Sequence, residues 1–366
     1  MNKSKIHIVV VCNYVLREDR IGGMDRFFVA YNAFARAQGF QISWYFKGDG
    51  NFPFYQGLEL HCTNSQEVEQ FFLEELKKGQ SYTHLITHFT SLCSSFYKKV
   101  RKLSAISYIQ VVDHNPRPLD GFPLKKRLKN RIKSILYSRY IDQFIGVSNY
   151  TVDCILEDLG GRVKHKTTRV YNGIDTSVFN KREVVGRHPE HAKMKFVVVS
   201  HLRKSKGIQD LLHALAQLDQ DVRRQLLVTV YGEGPYEHVL KGLAASLRLD
   251  DQVKFKGSIG HINEVLAAYD YLIQPTYMEC FSLSILESLS ANVPVITTTV
   301  GGNAEVIKDG INGYLFSPKE VSALTKILEE LVLGQRAITQ PTAPLIETDF
   351  NLKQMVEDHF KLVSCT

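Results

Sequence analysis

The sequence lacks any apolar run approaching the roughly 18 to 20 residues that cross a bilayer; its longest, such as residues 6–12, are heptads. A membrane-spanning helix is therefore not expected. Its opening, Met1-Asn-Lys-Ser-Lys, runs straight into a strand-like segment, with neither a long apolar region nor a small-residue cleavage site. The expectation is a protein that is not secreted. Six cysteines (Cys12, Cys62, Cys93, Cys154, Cys280 and Cys365) are scattered without a CxxC pair. That spacing supports neither a zinc site nor a disulfide framework, and reads as reduced thiols of a cytoplasmic protein. Tandem repeats and low-complexity segments are missing, and so is a GxGxxG loop, which counts against a nicotinamide-dependent oxidoreductase.

What is present is ordinary globular material, 44% hydrophobic and 23% charged. At roughly 150 residues per domain, 366 residues suggest two domains or three. The net charge is +7, but it is unevenly placed: residues 1–180 carry +9 and residues 181–366 carry −2. Most of the excess falls in residues 98–139, with twelve basic side chains against two acidic. The basic character belongs to one patch of the first half.

Strand and helix patterns alternate along the chain. Residues 6–12, 42–46, 84–87, 106–112 and 143–147 read as strands of the first half. Met24, Phe27, Phe28, Tyr31, Phe34 and Ala35 recur at helical spacing, with Gly39 placed to end that helix. Ser148 stands where a helix N-cap belongs. In the second half, strands at 195–200, 226–231, 253–256, 271–274 and 293–297 alternate with helices at 208–218, 236–247 and 282–291. Units of this length predict parallel sheets with helices on both faces. The expected fold is α/β, two Rossmann-like doubly wound domains over residues 1–178 and 190–345. Polar residues 176–194 form the linker, and an amphipathic helix over 346–366 returns toward the first domain. A ligand is expected in the cleft between such domains, at the carboxyl ends of the strands, where helix N-termini point free N–H groups.

The strongest chemical signal is Glu279-Cys-Phe-Ser-Leu-Ser-Ile-Leu-Glu287. It places a loop after strand 271–274 and Ser282 at the cap of the next helix. The N–H groups of Phe281, Ser282 and Leu283 then face an anion position, with Glu279 beside it and Glu287 just over a turn beyond. A diphosphate flanked by two hydroxyl-accepting carboxylates describes a nucleotide-sugar. The alternative is an acidic residue that favours the helix dipole, plus a solvated second-turn Glu.

From this point the C-terminal half resembles the retaining glycosyltransferases of family 4, which have the GT-B fold. The matching blocks run in order: Val199-Ser-His-Leu-Arg-Lys-Ser-Lys-Gly207, Tyr231-Gly-Glu-Gly-Pro235, Val253-Lys-Phe-Lys-Gly257, Gln274-Pro-Thr-Tyr-Met-Glu279, Pro294-Val-Ile, and Gly301-Gly-Asn-Ala-Glu305 through Asn312-Gly313. Tyr171-Asn-Gly-Ile-Asp175 resembles the family's hinge-proximal motif.

The resemblance implies that Glu279 holds sugar hydroxyls, Glu287 binds the ribose and Lys206 neutralises the leaving diphosphate. It implies that Gly257 and the residues after it meet the base, and that Gly232, Glu233 and Gly234 turn beside the nucleotide. Gly22 and Gly23 would approach the donor phosphate from the first domain, a plain loop break being the other reading. His114, after strand 106–112, would meet the transferred sugar, with His88 a second candidate and a structural histidine the alternative. Where the family usually has Arg stands His201, so Arg203 is the candidate for that phosphate contact. Cys280 and Ser282 replace glycines common beside the phosphates, and Asn292 replaces a glycine after the helix.

The expected activity is a metal-independent, retaining transfer of a hexose from a UDP-sugar, or a GDP-sugar, to a glycan or lipid-linked acceptor in bacterial surface polysaccharide assembly. No cofactor is expected. Asp219-Gln-Asp221 spells a DxD but reads as surface. The rival is a nucleotide-sugar-binding protein without transferase activity. Finally, Leu124, Leu128, Ile132 and Ile135 share one face of a Lys- and Arg-rich segment, 124–139. That is the profile of a helix on an anionic membrane surface, peripheral on the inner face of the cell membrane. Its alternative is a helix docked on its own domain. No motif for nucleic acid accompanies the patch.

Overall fold

The computed structural model describes residues 6–19, 21–183 and 193–364. The polar linker expected over 176–194 lies partly outside these residues. Two compact units divide the chain: Met1–Gly173 together with Leu352–Thr366, and Ile174–Asn351.

The first unit is built on seven strands: β1 (His7–Val15), β2 (Gln41–Lys47), β3 (Glu59–Thr63), β4 (His84–His88), β5 (Tyr108–Asp113), β6 (Gln143–Gly146) and β7 (Thr167–Arg169). Their order is β3-β2-β1-β4-β5-β6-β7, and every pairing is parallel. Continuous Val and Ile runs suit strands covered on both faces: Ile8 through Cys12 are all buried. The helix Gly23–Ala37 buries Met24, Phe27, Phe28, Tyr31 and Ala35, the stripe its periodicity predicts. Ser148 caps the helix Asn149–Leu159, its hydroxyl accepting the Thr151 N–H at 3.0 Å.

The second unit has six strands, β8 (Met194–Val199), β9 (Leu226–Tyr231), β10 (Val253–Gly257), β11 (Tyr271–Gln274), β12 (Val295–Thr298) and β13 (Gly313–Phe316). They lie in the order β10-β9-β8-β11-β12-β13, again all parallel. This sheet carries its own core, in which Phe196, Val198, Leu211, Leu212, Leu226, Val228, Leu240, Ile273, Ile296, Leu324 and Leu328 are buried together.

The single helix expected over 346–366 is in fact two, Ala343–Asp349 and Leu352–Ser364. The break has a local cause. Phe350 packs its ring 5.5 Å from Phe281, its carbonyl accepts the Ile174 N–H at 3.0 Å, and Asn351 bridges Ile174. The last helix then belongs to the first unit, where Phe360 packs against Phe34 and Phe40 at 5.2 and 4.9 Å. Strands β3, β7 and β13, absent from the sequence reading, are short: five, three and four residues.

Candidate functional site

In the second unit, the loops at the carboxyl ends of neighbouring strands are stitched to one another by backbone hydrogen bonds. The loop after β8 donates from Leu202 to the Glu233 carbonyl (2.9 Å), and Gly232 donates to that of Gly257 (2.8 Å). Tyr277, after β11, donates to the Ser205 carbonyl at 2.7 Å, and Gly302, after β12, to that of Cys280 at 2.8 Å. Two glycines permit this closeness. Gly207 has φ +69° and Gly301 φ +64°; a Cβ on the first would run into the Pro275 carbonyl, and on the second into that of Glu279.

This stitching brings Lys206 and Glu279 together. Lys206 Nζ donates to Glu279 Oε2 at 2.8 Å, while Glu279 Oε1 accepts the Cys280 N–H at 3.2 Å. Both side chains are mostly covered, at 23% and 16% exposed. Glu233 points its carboxylate toward the next loop, accepting the Ser258 N–H at 3.3 Å beside Gly257, whose φ of +70° needs glycine or strain. Gly234 lies against the backbone of Leu202.

The helix Leu283–Ser290 follows, with Phe281 buried before it and Glu287 half-buried on its second turn. Ser282 holds the N-cap position but does not cap through its side chain. Its hydroxyl instead accepts from Gln274 Nε2 at 2.7 Å and shares a 3.0 Å bond with Ser284. Gln274, at the end of β11, was not singled out in the sequence, because nothing marks a glutamine at a strand end as unusual. Arg203 is exposed at the start of the short turn Lys204–Lys206. Asp219, of the DxD read as surface, is exposed and caps a four-residue helix by accepting the Asp221 N–H at 2.9 Å.

The remaining candidates lie in the first unit. Gly22 is the N-cap of Gly23–Ala37, and its N–H donates to Asp25 Oδ2 at 2.8 Å. Asp25 is 1% exposed and also accepts from Tyr14 (3.0 Å) and Tyr55 (2.8 Å). Burial pushes its carboxyl up, and these hydrogen bonds pull it back. The sequence reading missed Asp25, although an acid three residues after an N-cap is a recognisable signal.

His88 and His114 meet at the ends of β4 and β5, with Nδ1 of the first 2.9 Å from Nε2 of the second. His114 stacks on Phe89 at 4.4 Å between ring centroids, and Phe89 holds the left-handed backbone (φ +58°) unusual for a bulky residue. His359, from the last helix, lies 6.1 Å from His88. Burial, and then the neighbouring His359, push His114 down to about 3; burial drives His359 down to about 4. Both rings are therefore neutral at neutral pH. The loop that carries His114 is held by a buried network, in which Arg117 donates to Asp113 at 2.8 Å and Asp158 at 2.9 Å.

Residues 181–342, all within the second unit, match the family model for glycosyl transferases group 1. The match covers a little under half of the chain. Among curated relatives, N-acetyl-alpha-D-glucosaminyl L-malate synthase of Bacillus anthracis is 33% identical over 167 residues, 44% of this chain and 42% of that one. Lipopolysaccharide glucosyltransferase WaaG of Escherichia coli is 31% identical over 136 residues, 37% of this chain and 34% of that one. The chain thus matches less than half the length of either relative. The solved structure of Anabaena Alr3699/HepE in complex with UDP aligns with a TM-score of 0.76 at 17% identity, over 99% of this chain and 100% of that one. With parallel sheets of seven and six strands, the chain has the GT-B fold, the α/β class expected from the sequence.

Proposed function

We propose that the chain is a retaining glycosyltransferase that moves a hexose from a nucleotide-diphosphate sugar, UDP ahead of GDP, to a glycan or lipid-linked acceptor. The observation that carries this reading is the Lys206–Glu279 ion pair, held on stitched loops just before the N-terminus of Leu283–Ser290. A cation, a carboxylate and a helix N-terminus in succession suit a diphosphate and the hydroxyls of the sugar attached to it. In the proposed reaction the bond from the anomeric carbon to the phosphate oxygen breaks, and the acceptor oxygen bonds to that carbon on the same face. The acceptor proton passes to the departing phosphate. Lys206, Arg203 and helix N–H groups stabilise that charge without a metal, and positioning does most of the rest. Glu287 is assigned to the ribose, Gly257 and Glu233 to the nucleotide, and neutral His114 to the transferred sugar.

The acceptor side is assigned to the inner membrane surface. The helix Leu124–Tyr137 turns its polar side inward, with Ser134 fully buried, and leaves its apolar side in solvent. Leu124 is 80% exposed, Leu128 61%, Ile132 50% and Ile135 55%. An exposed apolar stripe edged by Lys125, Lys129 and Arg131 is complementary to an anionic lipid surface. No helix among the described residues is long and apolar enough to cross a membrane. The setting we assign is cytoplasmic, peripheral on the inner face of a bacterial membrane, in surface polysaccharide assembly.

Calorimetric titration with UDP, and GDP in parallel, tests the donor site. Selective binding near the micromolar range is expected, and loss of binding to both would overturn the reading. Transfer assays that follow the anomeric configuration then test retention. The second reading, a nucleotide-sugar-binding protein without transferase activity, draws on His201, Cys280 and Ser282, which depart from the Arg and the glycines common in the family that the sequence resembles. Tight donor binding with no transfer to any extract-derived acceptor would favour it.

A further inference from the structure

Beneath the start of the helix Leu283–Ser290, three side chains form a closed polar cluster. Gln274 Nε2 donates to Ser282 Oγ at 2.7 Å and to Ser284 Oγ at 3.0 Å, and the two hydroxyls lie 3.0 Å apart. Counting protons settles what each group has left. Both amide hydrogens are used, one on each serine. Of the two hydroxyl protons, one is used in the Ser282–Ser284 bond. The other has no acceptor among the described residues. The opposite amide orientation would direct both hydroxyl protons at the amide oxygen and leave the 3.0 Å contact between the serines with no proton in it, so the orientation given is the consistent one. In that orientation Gln274 Oε1 is buried and unpartnered, on a side chain only 4% exposed. A buried acceptor without a partner is costly, so the amide is held in this orientation by its two bonds to the serines.

We infer that Ser282 and Ser284 add a hydroxyl donor to the diphosphate seat at this helix N-terminus, and that Gln274 is a positioning residue that keeps that O–H directed outward. The inference rests on the donor-site reading above. It gives a role to Ser282, which departs from the glycine common at this point in the family that the sequence resembles. The ligand class is a nucleoside diphosphate, engaged through a phosphate oxygen. A hydroxyl donating to a charged phosphate makes a stronger bond than one between neutral groups, so its loss weakens binding by about tenfold or more.

The test is calorimetric titration of wild type, Ser282→Gly and the double variant Ser282→Ala/Ser284→Ala with UDP, and with uridine as the ligand that lacks phosphate. Expected is a loss of about tenfold or more in UDP affinity for the double variant, with uridine affinity unchanged. Ser282→Gly restores the family's residue and guards against a packing artefact of the added methyl groups. UDP affinity within twofold of wild type in the double variant would overturn the inference, as would equal losses for UDP and uridine. Gln274→Met separates positioning from general support: it should weaken UDP binding in the wild type but add nothing in the Ser282→Ala/Ser284→Ala background. Equal further loss in that background would overturn the positioning role. A wild type that binds neither UDP nor GDP would overturn the donor-site reading itself, whereas binding that ignores the serines would overturn this inference alone.

Discussion

Lys206 and Glu279 are 73 residues apart, yet each is the other's partner at 2.8 Å. Removing the charge of Glu279 keeps its shape and its hydrogen bond from Cys280, but loses both the ion pair and the carboxylate assigned to the sugar. Glu279→Gln is expected to lower kcat about 10- to 100-fold, the range of a lost charge-assisted hydrogen bond, while melting shifts little. A steady-state assay beside a thermal scan checks this, and wild-type turnover in the variant would remove Glu279 from the site. A second residue-scale consequence concerns His359, 1% exposed and held down to about 4 by burial. Its folded form refuses a proton that the unfolded chain accepts below about 6.5. Stability from this group is therefore complete above that pH and falls as the solution is acidified toward 4. Between pH 7.5 and 5 the loss is about 2 kcal/mol. Trp44, the sole tryptophan and fully buried in the first unit, reports that unit's unfolding in urea. His359→Leu should reduce the dependence by about that amount, buried His114 keeping a share of its own, and an unchanged slope would show that other groups set it.

At the scale of elements, the helix Leu124–Tyr137 shows what a sequence pattern can and cannot say. Its three- and four-residue apolar spacing is plain in the sequence, but spacing defines a stripe without naming what the stripe faces. Here the protein takes the side with Ser134, and solvent takes Leu124 and Leu128. The expected outcome is that the protein cosediments with vesicles containing anionic lipid, and that Leu124→Ser/Leu128→Ser reduces the bound fraction several-fold without changing UDP binding. Equal sedimentation with neutral vesicles, or no effect of the double variant, would count against the membrane assignment. The strands follow the same logic. β8, β9 and β11 were legible because buried parallel strands read as dense Val, Ile and Leu runs. β3, Glu59-Leu-His-Cys-Thr, was not, because an edge strand has one neighbour and tolerates polar residues. The Glu279 loop was legible as an ordered motif. Gln274 was not singled out, since its role comes from serines 8 and 10 residues on; nor was Asp25, whose tyrosine partners lie 11 and 30 residues away, although its place three residues after the Gly22 N-cap could have marked it.

For the molecule as a whole, chain order and unit membership part company at Gly173 and again at Leu352. The last helix is remote in sequence from the rest of the unit to which it belongs. Within the first unit it buries Met355, Val356, His359, Phe360 and Val363. At about 1.5 to 3 kcal/mol for each large apolar side chain, their loss is comparable to the roughly 5 to 15 kcal/mol that holds a domain folded. It would also uncover Phe27, whose ring lies 5.2 Å from His359, and Tyr31, 6.4 Å from Phe360. The second unit, by contrast, keeps the cluster around Phe196, Leu212 and Leu324, because no residue of that cluster lies beyond Asn351. A chain ended at Asn351 should therefore unfold in its first unit and persist in its second. Urea titration should show the Trp44 signal unfolded without denaturant, or nearly so, while far-ultraviolet circular dichroism keeps a cooperative transition from the second unit. If UDP is held mainly by the loops of that unit, the truncated chain should still bind it, more weakly but measurably. A Trp44 transition at the wild-type midpoint would show that the last helix contributes little, and that the first sheet stands on its own strands.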